Sequence, residues 1–225
     1  MLKTLARLLA VVPAFSMLAC TGSSAAAANP DAAIPAPAAD LPAIATGTQV
    51  AVFAGGCFWG VDAVFKHVKG VTRVVSGYAG GKAETAQYED VGSGRTGHAE
   101  AVEVTYDPAI VSYGTLLKVF FTVAHDPTEL NRQGPDTGTQ YRSTIFIATE
   151  AQRTAATTYI ADLTKAGVYA RPIVTTLEPL VKFFTAEPYH QNYLALHLTQ
   201  PYIVYNDLPK LDVLKRRMPE LYVAQ

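Results

Sequence analysis

The stretch Gln49-Val-Ala-Val-Phe-Ala-Gly-Gly-Cys-Phe-Trp-Gly60 places a buried strand, a glycine turn and the start of a helix in direct succession. Its apolar run over residues 49–54 is typical of a buried strand. From residue 58 to residue 68 the apolar side chains recur at helical spacing, which predicts a helix directly after the turn. Cys57 is therefore expected where this helix opens. There the free N–H groups and the helix dipole favour the thiolate, the reactive form of cysteine.

Outward from this stretch, strand and helix patterns interleave irregularly. Strands are predicted over residues 72–78, 100–106, 141–148 and 173–177, and helices over 112–121 and 150–165. Two glycine-rich loops, residues 79–98 and 125–138, lie between them, and the tail beyond residue 189 has no clear pattern. This order indicates an α+β fold, a two-layer α/β sandwich with a central mixed sheet. We expect it to be ferredoxin-like in style, with long irregular loops and tail.

The N-terminal residues have the features of an export signal. Over residues 1–19, two basic side chains precede an apolar run that is too short to span a membrane. Cys20 then follows a small residue, the pattern of a bacterial lipoprotein cleavage site. We expect lipidation of Cys20, with plain cleavage or an uncleaved apolar helix as alternatives. Residues 20–47, rich in alanine and proline, are expected to form a flexible tether, and residues 48–225 the folded domain. The protein would then be exported to the periplasm, with a membrane tether through lipidated Cys20.

Composition limits the chemistry that this domain can use. The chain has 225 residues, of which 49% are hydrophobic and 16% charged, so one domain with a substantial core is expected, with no basic face for nucleic acid. Its two cysteines are Cys20 and Cys57. If Cys20 is cleaved off or lipidated, an exported domain is left with a single free thiol, which indicates a reactive cysteine. The count also excludes a zinc site built from thiolates, and we expect no bound metal or cofactor.

Several side chains near Cys57 in the predicted fold are candidates for its chemistry. Neighbours on a helix lie about 100° apart, so Phe58 and Trp59 cannot both enter one interior, and at least one should line a cavity beside the sulfur. Glu100 lies at the junction between the first loop and the following strand, where a carboxylate is usually solvated. If partly buried, it would have a raised pKa and act as a general acid. His98 could instead be a base for Cys57, as in thiol hydrolases. The residues alone leave both interpretations open.

Polar residues in or beside the two glycine-rich loops complete the set of candidates. Tyr88 lies in the first loop, and Asp136 and Tyr141 lie in or beside the second. Surface tyrosines are common, so packing alone explains each of these residues when it is taken singly. Two glycines and a proline fix the path of the second loop, however, and its polar side chains then offer hydrogen bonds to a ligand.

Five ordered segments resemble the A-type peptide methionine sulfoxide reductases. They are residues 56–60, 77–81, 94–100, 131–143 and 189–193. The resemblance extends over roughly residues 48–210 and makes residues 48–225 the catalytic domain. It implies a two-layer α+β fold around a shallow open site.

The resemblance also implies a role for each candidate residue. Cys57 matches the nucleophile that attacks the sulfoxide sulfur, and Glu100 the acid that protonates the sulfoxide oxygen. Tyr88 and Tyr141 match the phenols that hold this oxygen, with Asp136 as a supporting polar residue. Phe58 and Trp59 are similar to the walls of the pocket for the substrate methyl group.

The implied substrate is the S epimer of methionine sulfoxide, free, in peptides or in oxidised proteins. The implied partner is an external thiol reductant, a thioredoxin-like protein in the cell or dithiothreitol in vitro, and we expect a monomer. The chain departs from many family members because no cysteine follows Cys57, so direct reduction from outside is expected. It also carries Asp62 where glutamate is more usual. Two other classes stay open: a hydrolase or acyltransferase that uses Cys57 and His98, and a periplasmic peptide-binding module.

Overall fold

The computed structural model describes residues 34–41 and 47–225. The predictions for residues 1–19 and for Cys20 lie outside these residues. Within the described residues, no helix is long and apolar enough to cross a membrane.

One six-stranded sheet forms the centre of the fold, and a two-residue hairpin lies apart from it. The strands are β1 (Gln49–Gly55), β2 (Val71–Ala79), β3 (Ala99–Tyr106), β4 (Arg132–Gln133), β5 (Asp136–Thr137), β6 (Ser143–Ile147), β7 (Thr176–Pro179) and β8 (Phe183–Thr185). The sheet has the order β7-β6-β1-β3-β2-β8, with β4 and β5 forming the hairpin. Only β6 and β7 are parallel among these pairs, so the sheet is mixed, as predicted.

Helices cover one face of the sheet. They are α1 (Phe58–Lys66), α2 (Tyr88–Gly92), α3 (Tyr113–Val119), α4 (Glu150–Lys165), α5 (Tyr193–Leu196) and α6 (Leu208–Arg217). Apolar residues of α1, α3, α4 and α6 share one core with alternate residues of the central strands, among them Phe53, Val102 and Val104. The opposite face is a small apolar layer under Leu180 and Phe183. This is the predicted α+β architecture in two layers; the ferredoxin-like style stays a prediction.

The predicted elements agree with the structure best where periodicity is strong. The helix over 150–165 and the strands that begin near residues 49, 72 and 100 are confirmed. The first loop is not wholly irregular, because it contains the short helix α2. The strand predicted over 173–177 is wrong at its start: Val174 N–H donates to Pro127 O at 2.8 Å, outside the sheet, and β7 begins at Thr176. The edge strand β8 was not predicted.

The C-terminal tail folds back over α1. A π-helical turn, Ile203–Asp207, leads into α6, and both α5 and α6 pack against α1. Lys69 N–H also donates to Leu221 O at 2.7 Å, which ties the chain end to the loop after α1. The tail therefore contributes residues to the region around Cys57.

Part of the segment expected to be a tether packs on the domain. Ile34 is buried, and Tyr159 Oη donates to Pro35 O at 2.8 Å. Asp40 Oδ1 accepts a 2.8 Å hydrogen bond from Gly114 N–H, one of the free amides in the first turn of α3. Residues 34–41 thus form a strap across α3 and α4, which their composition did not predict.

Candidate active site

Cys57 immediately precedes α1, at the position that the sequence predicts. The turn before it requires glycine, since Gly56 has a φ of +91° and a β-carbon there would lie 2.4 Å from Gln133 Cγ. Cys57 is 9% exposed, and the N–H of Trp59 in the first helical turn faces its sulfur. Burial and then the carboxylates of Glu100 and Asp207 raise the pKa of the thiol well above its usual value. The N–H of Trp59 lowers the thiol pKa, as expected for a helix start, but burial and these charges outweigh it, so the thiol keeps its proton.

Glu100 meets α1 because of strand alternation. Ala99 and Ala101 face the small apolar layer, so Glu100 points with Val102 toward the helices. Its Oε2 accepts a 3.0 Å hydrogen bond from the N–H of Phe58. Burial raises the pKa of Glu100 to about 8, and Asp136 and Asp207 act in the same direction. Glu100 is thus a carboxylic acid at neutral pH, next to a thiol that also keeps its proton.

The two aromatics after Cys57 have different surroundings. Phe58 is 1% exposed and packs against Tyr78 and His190, with ring centroids 5.9 and 4.9 Å away. Trp59 is only partly buried, and it stacks on Tyr193 at 3.7 Å. Of the two predicted substrate contacts, Trp59 therefore presents accessible aromatic surface, whereas Phe58 is almost wholly enclosed.

The three polar loop residues converge on the same region. Tyr88 begins α2, and burial followed by the charges of Glu100 and Cys57 raises its pKa to about 12. Burial and the same two neighbours, together with Asp136, also raise the pKa of Tyr141. Both phenols thus stay protonated and can donate hydrogen bonds. Asp136 accepts a hydrogen bond from Tyr202 Oη, and burial raises the pKa of Asp136.

The C-terminal tail, together with Glu187 just before it, supplies residues that were not predicted as part of the site. Trp59 Nε1 donates to His190 Nδ1 at 3.0 Å, and the Tyr202 ring meets Trp59 edge-on at 5.8 Å. Glu187 accepts hydrogen bonds from Tyr88 N–H at 2.9 Å and from Tyr78 Oη at 2.8 Å. Residues 189–193 form one of the segments that resemble the family, so His190 could have been predicted from the sequence. Tyr202 and Glu187 carried no such signal.

Arg142 fixes the second glycine-rich loop against the first. Its guanidinium makes two hydrogen bonds with the Glu178 carboxylate, of 2.9 and 3.0 Å, and a third with Gly97 O at 3.1 Å. Thr139 Oγ1 adds a 2.6 Å hydrogen bond to Gly94 O. A bidentate arginine–carboxylate pair is geometrically specific. The loops that carry Tyr88 and Tyr141 are therefore joined directly.

His98 has a structural role in the first loop. It is 1% exposed, its Nδ1 accepts from Gly81 N–H at 3.2 Å, and its Nε2 lies 2.9 Å from Lys82 O. With both ring nitrogens bonded to the backbone, neither is free to act as a base for Cys57. The hydrolase alternative thus lacks its proposed base. Within residues 34–41 and 47–225, no cluster of three or more His, Cys, Asp or Glu could hold a metal ion.

Comparisons with known proteins identify the family of this chain. The family model described as peptide methionine sulfoxide reductase matches residues 49–221. The peptide methionine sulfoxide reductase MsrA 2 of Mesorhizobium japonicum is 61% identical over 178 residues, which cover 79% of this chain and 91% of the relative. The MsrA of Chromobacterium violaceum is 50% identical over 173 residues, covering 77% and 98%.

Solved structures give the same result. Reduced Mxr1 of Saccharomyces cerevisiae has a TM-score of 0.62 at 31% identity, covering 71% of this chain and 91% of that one. Methionine sulfoxide reductase A of Corynebacterium diphtheriae has a TM-score of 0.60 at 36% identity, covering 68% and 77%. Fold and site thus define an oxidoreductase that acts on methionine sulfoxide. The chain belongs to the peptide methionine sulfoxide reductase family, of the A type.

Proposed function

We propose that this protein returns methionine sulfoxide to methionine through a sulfenic acid on Cys57, with an external thiol as the source of electrons. The observation that carries the proposal is the hydrogen bond between Glu100 and the N–H of Phe58. It holds a buried acid, protonated at neutral pH, beside the one cysteine of the described chain.

The first step transfers oxygen between two sulfurs. The Cys57 thiolate attacks the sulfoxide sulfur while Glu100 protonates the sulfoxide oxygen, because an unprotonated oxygen is a poor leaving group. We assign the proton to Oε1, since Oε2 already accepts from Phe58. Oxygen ends on Cys57 as the sulfenic acid, methionine leaves as the thioether, and two electrons pass from cysteine to substrate sulfur.

The site also contains groups to hold the substrate. The phenols of Tyr88 and Tyr141 are donors directed at the developing charge on oxygen, the kind of stabilisation that acts most strongly in a buried site. Trp59 offers an aromatic face to the methyl group, with Phe58 packed behind it. Asp136 supports this arrangement through Tyr202.

The second step regenerates the thiol. An external thiol attacks the sulfenic acid and releases water, and a second thiol then reduces the resulting mixed disulfide, so each turnover consumes two thiols. No cysteine follows Cys57 in the chain, which supports direct reduction from outside. We assign this role to a thioredoxin-like protein, which dithiothreitol replaces in vitro.

The cellular setting is also part of the proposal. The features of residues 1–20 support export to the periplasm and lipidation of Cys20, and a role in repair of oxidised exported proteins. Family resemblance supports the S epimer, free or in proteins, as substrate. We propose that the protein acts as a monomer.

The test is loss of a methyl sulfoxide with and without dithiothreitol, using the separate S and R epimers. We expect multiple turnovers of the S epimer with dithiothreitol and none in Cys57→Ser, whereas Cys20→Ser, the matched control, keeps activity. Turnover of the R epimer alone would contradict the stereochemical assignment. Peptide cleavage without reductant would instead identify a hydrolase.

A further inference from the structure

The C-terminal tail brings an ion pair onto the first turn of α1. Lys210 Nζ donates to Asp207 Oδ1 at 3.2 Å, and the two side chains are 20% and 0% exposed. A β-carbon on Gly60 would lie 2.1 Å from Asp207 Oδ1 and 2.7 Å from Lys210 Nζ. The pair therefore occupies the space that a side chain at position 60 would take.

This position is close to the nucleophile. Gly60 follows Cys57 by three residues, and residues at this spacing share one side of a helix, about 5–6 Å apart. The pair thus lies roughly one helical turn from the Cys57 sulfur. Asp207 Oδ2 is buried and has no hydrogen-bond partner within the described residues, so the nearby ammonium is what balances its charge. Charges in such a site are weakly screened.

The other groups that face Cys57 do not supply a positive charge. Glu100, which reaches Cys57 from β3, and Asp207 both carry carboxyl groups. The phenols of Tyr88, Tyr141 and Tyr202 also interact electrostatically with Cys57. Among the main groups that act on the sulfur, Lys210 supplies the positive charge.

We propose that Lys210 is a positioning residue for the reductase step: its ammonium, which Asp207 holds against the first turn of α1, offsets the carboxylate charges that disfavour the Cys57 thiolate. The proposal rests on the nucleophilic role of Cys57 given above. It has a distinctive consequence, because the two members of the pair carry opposite charges. Loss of the ammonium disfavours the thiolate, whereas loss of the carboxylate charge favours it.

The test measures ionisation of Cys57 without turnover. Iodoacetamide alkylation of the full chain is followed from pH 6 to 10, with Cys57 modification quantified by peptide mass spectrometry so that Cys20 does not interfere. At pH 7.5, Lys210→Met should slow alkylation about three- to tenfold, and Asp207→Asn, which removes the stronger of the two charges, should accelerate it by at least that factor. Lys210→Arg should stay within about twofold of the parent, as should the matched control Lys215→Met on the exposed side of α6.

Opposite signs are the decisive result, since general disruption of packing would move both variants the same way. Equal shifts in one direction, or no shift in either, would overturn the proposal. If Lys210→Met does not fold, Lys210→Gln replaces it with the same expectation. Reduction of methyl sulfoxide is assayed in parallel. Opposite alkylation shifts in a protein that reduces no sulfoxide would refute the proposed function, whereas the effect of Lys210 on the Cys57 thiolate would still stand.

Discussion

The backbone N–H of Phe58 donates a 3.0 Å hydrogen bond to Oε2 of Glu100, which lies 42 residues further along the chain. This bond joins the start of α1 to the start of β3, next to Cys57. It fixes an acid beside the thiol in a site where burial keeps both protonated at neutral pH. The two groups therefore titrate as a coupled pair.

The first prediction concerns the pH dependence of the chemical step. The reactive pair holds one proton, with a thiolate on Cys57 and the acid form of Glu100. Because the first proton leaves near pH 8, single-turnover methionine release should rise about tenfold per pH unit from pH 6 and level off near pH 8. It should fall again only when the second proton leaves. A rate that is constant from pH 6 to pH 8 would contradict this coupling.

Removal of the acid should have a large effect on the same step. We expect Glu100→Gln to lower the single-turnover rate about 10²–10⁴-fold, since the amide cannot protonate the sulfoxide oxygen. Glu103→Gln, on the same strand, is the matched control and should leave the rate unchanged. Loss of activity in both variants would point to a damaged strand.

The sequence predicts the parts of this site that depend on local patterns, and it fails for interactions between residues far apart in the chain. Cys57 and Glu100 could be predicted because strand alternation and helix periodicity are local patterns, and the family motifs mark them. The raised thiol pKa could not, since it depends on burial and on carboxylates far away in the chain. Asp207 approaches Cys57 only because the C-terminal tail folds back over α1. The sequence of the tail has no helix or strand periodicity from which this could be predicted. The strap over 34–41 was missed because its composition is that of a linker.

A second buried carboxyl should affect stability. Asp62 is 3% exposed on its side chain and pairs with Lys66 at 2.7 Å, yet burial raises its pKa to about 6. The folded state then binds this proton more tightly than the unfolded state. The stability that this bound proton gives the folded state is fully present below about pH 4 and is lost as pH rises through about 6.

Asp62→Asn should remove this pH dependence. Relative to the parent, the free energy of unfolding of the variant should gain about 2 kcal/mol between pH 4 and pH 7. Urea unfolding at several pH values measures it, with the exposed Asp212→Asn as control. A difference that does not change with pH would contradict the assignment.

Replacing Gly60 with alanine should lower the stability of the protein, although this substitution usually stabilises a helix. Alanine usually stabilises a helix interior by about 1 kcal/mol over glycine. Here the added carbon would collide with Asp207 Oδ1, so Gly60→Ala should destabilise the protein by about 1–3 kcal/mol. Gly92→Ala, where a β-carbon meets nothing within 4 Å, is the control for thermal unfolding. A higher melting temperature for Gly60→Ala would show that the tail does not pack as described.

The hydrogen bond from Trp59 to His190 should be visible in fluorescence, because Trp59 is the only tryptophan of the chain. His190→Phe keeps an aromatic ring but removes the acceptor of the indole N–H. We expect a changed emission maximum and a KM raised about three- to tenfold, as for loss of one hydrogen bond. His67→Phe, at the other end of α1, should change neither. An unaltered spectrum in His190→Phe would contradict the role of His190 in orienting Trp59.

The most direct test of the central claim is the product of one turnover without reductant. The mature protein is mixed with one equivalent of S-methionine sulfoxide, and both methionine release and the state of Cys57 are determined by mass spectrometry with a sulfenic acid trap. We predict one methionine per protein molecule and a trapped sulfenic acid on Cys57. Methionine release with Cys57 still a thiol, or joined to Cys20 in a disulfide, would contradict the account.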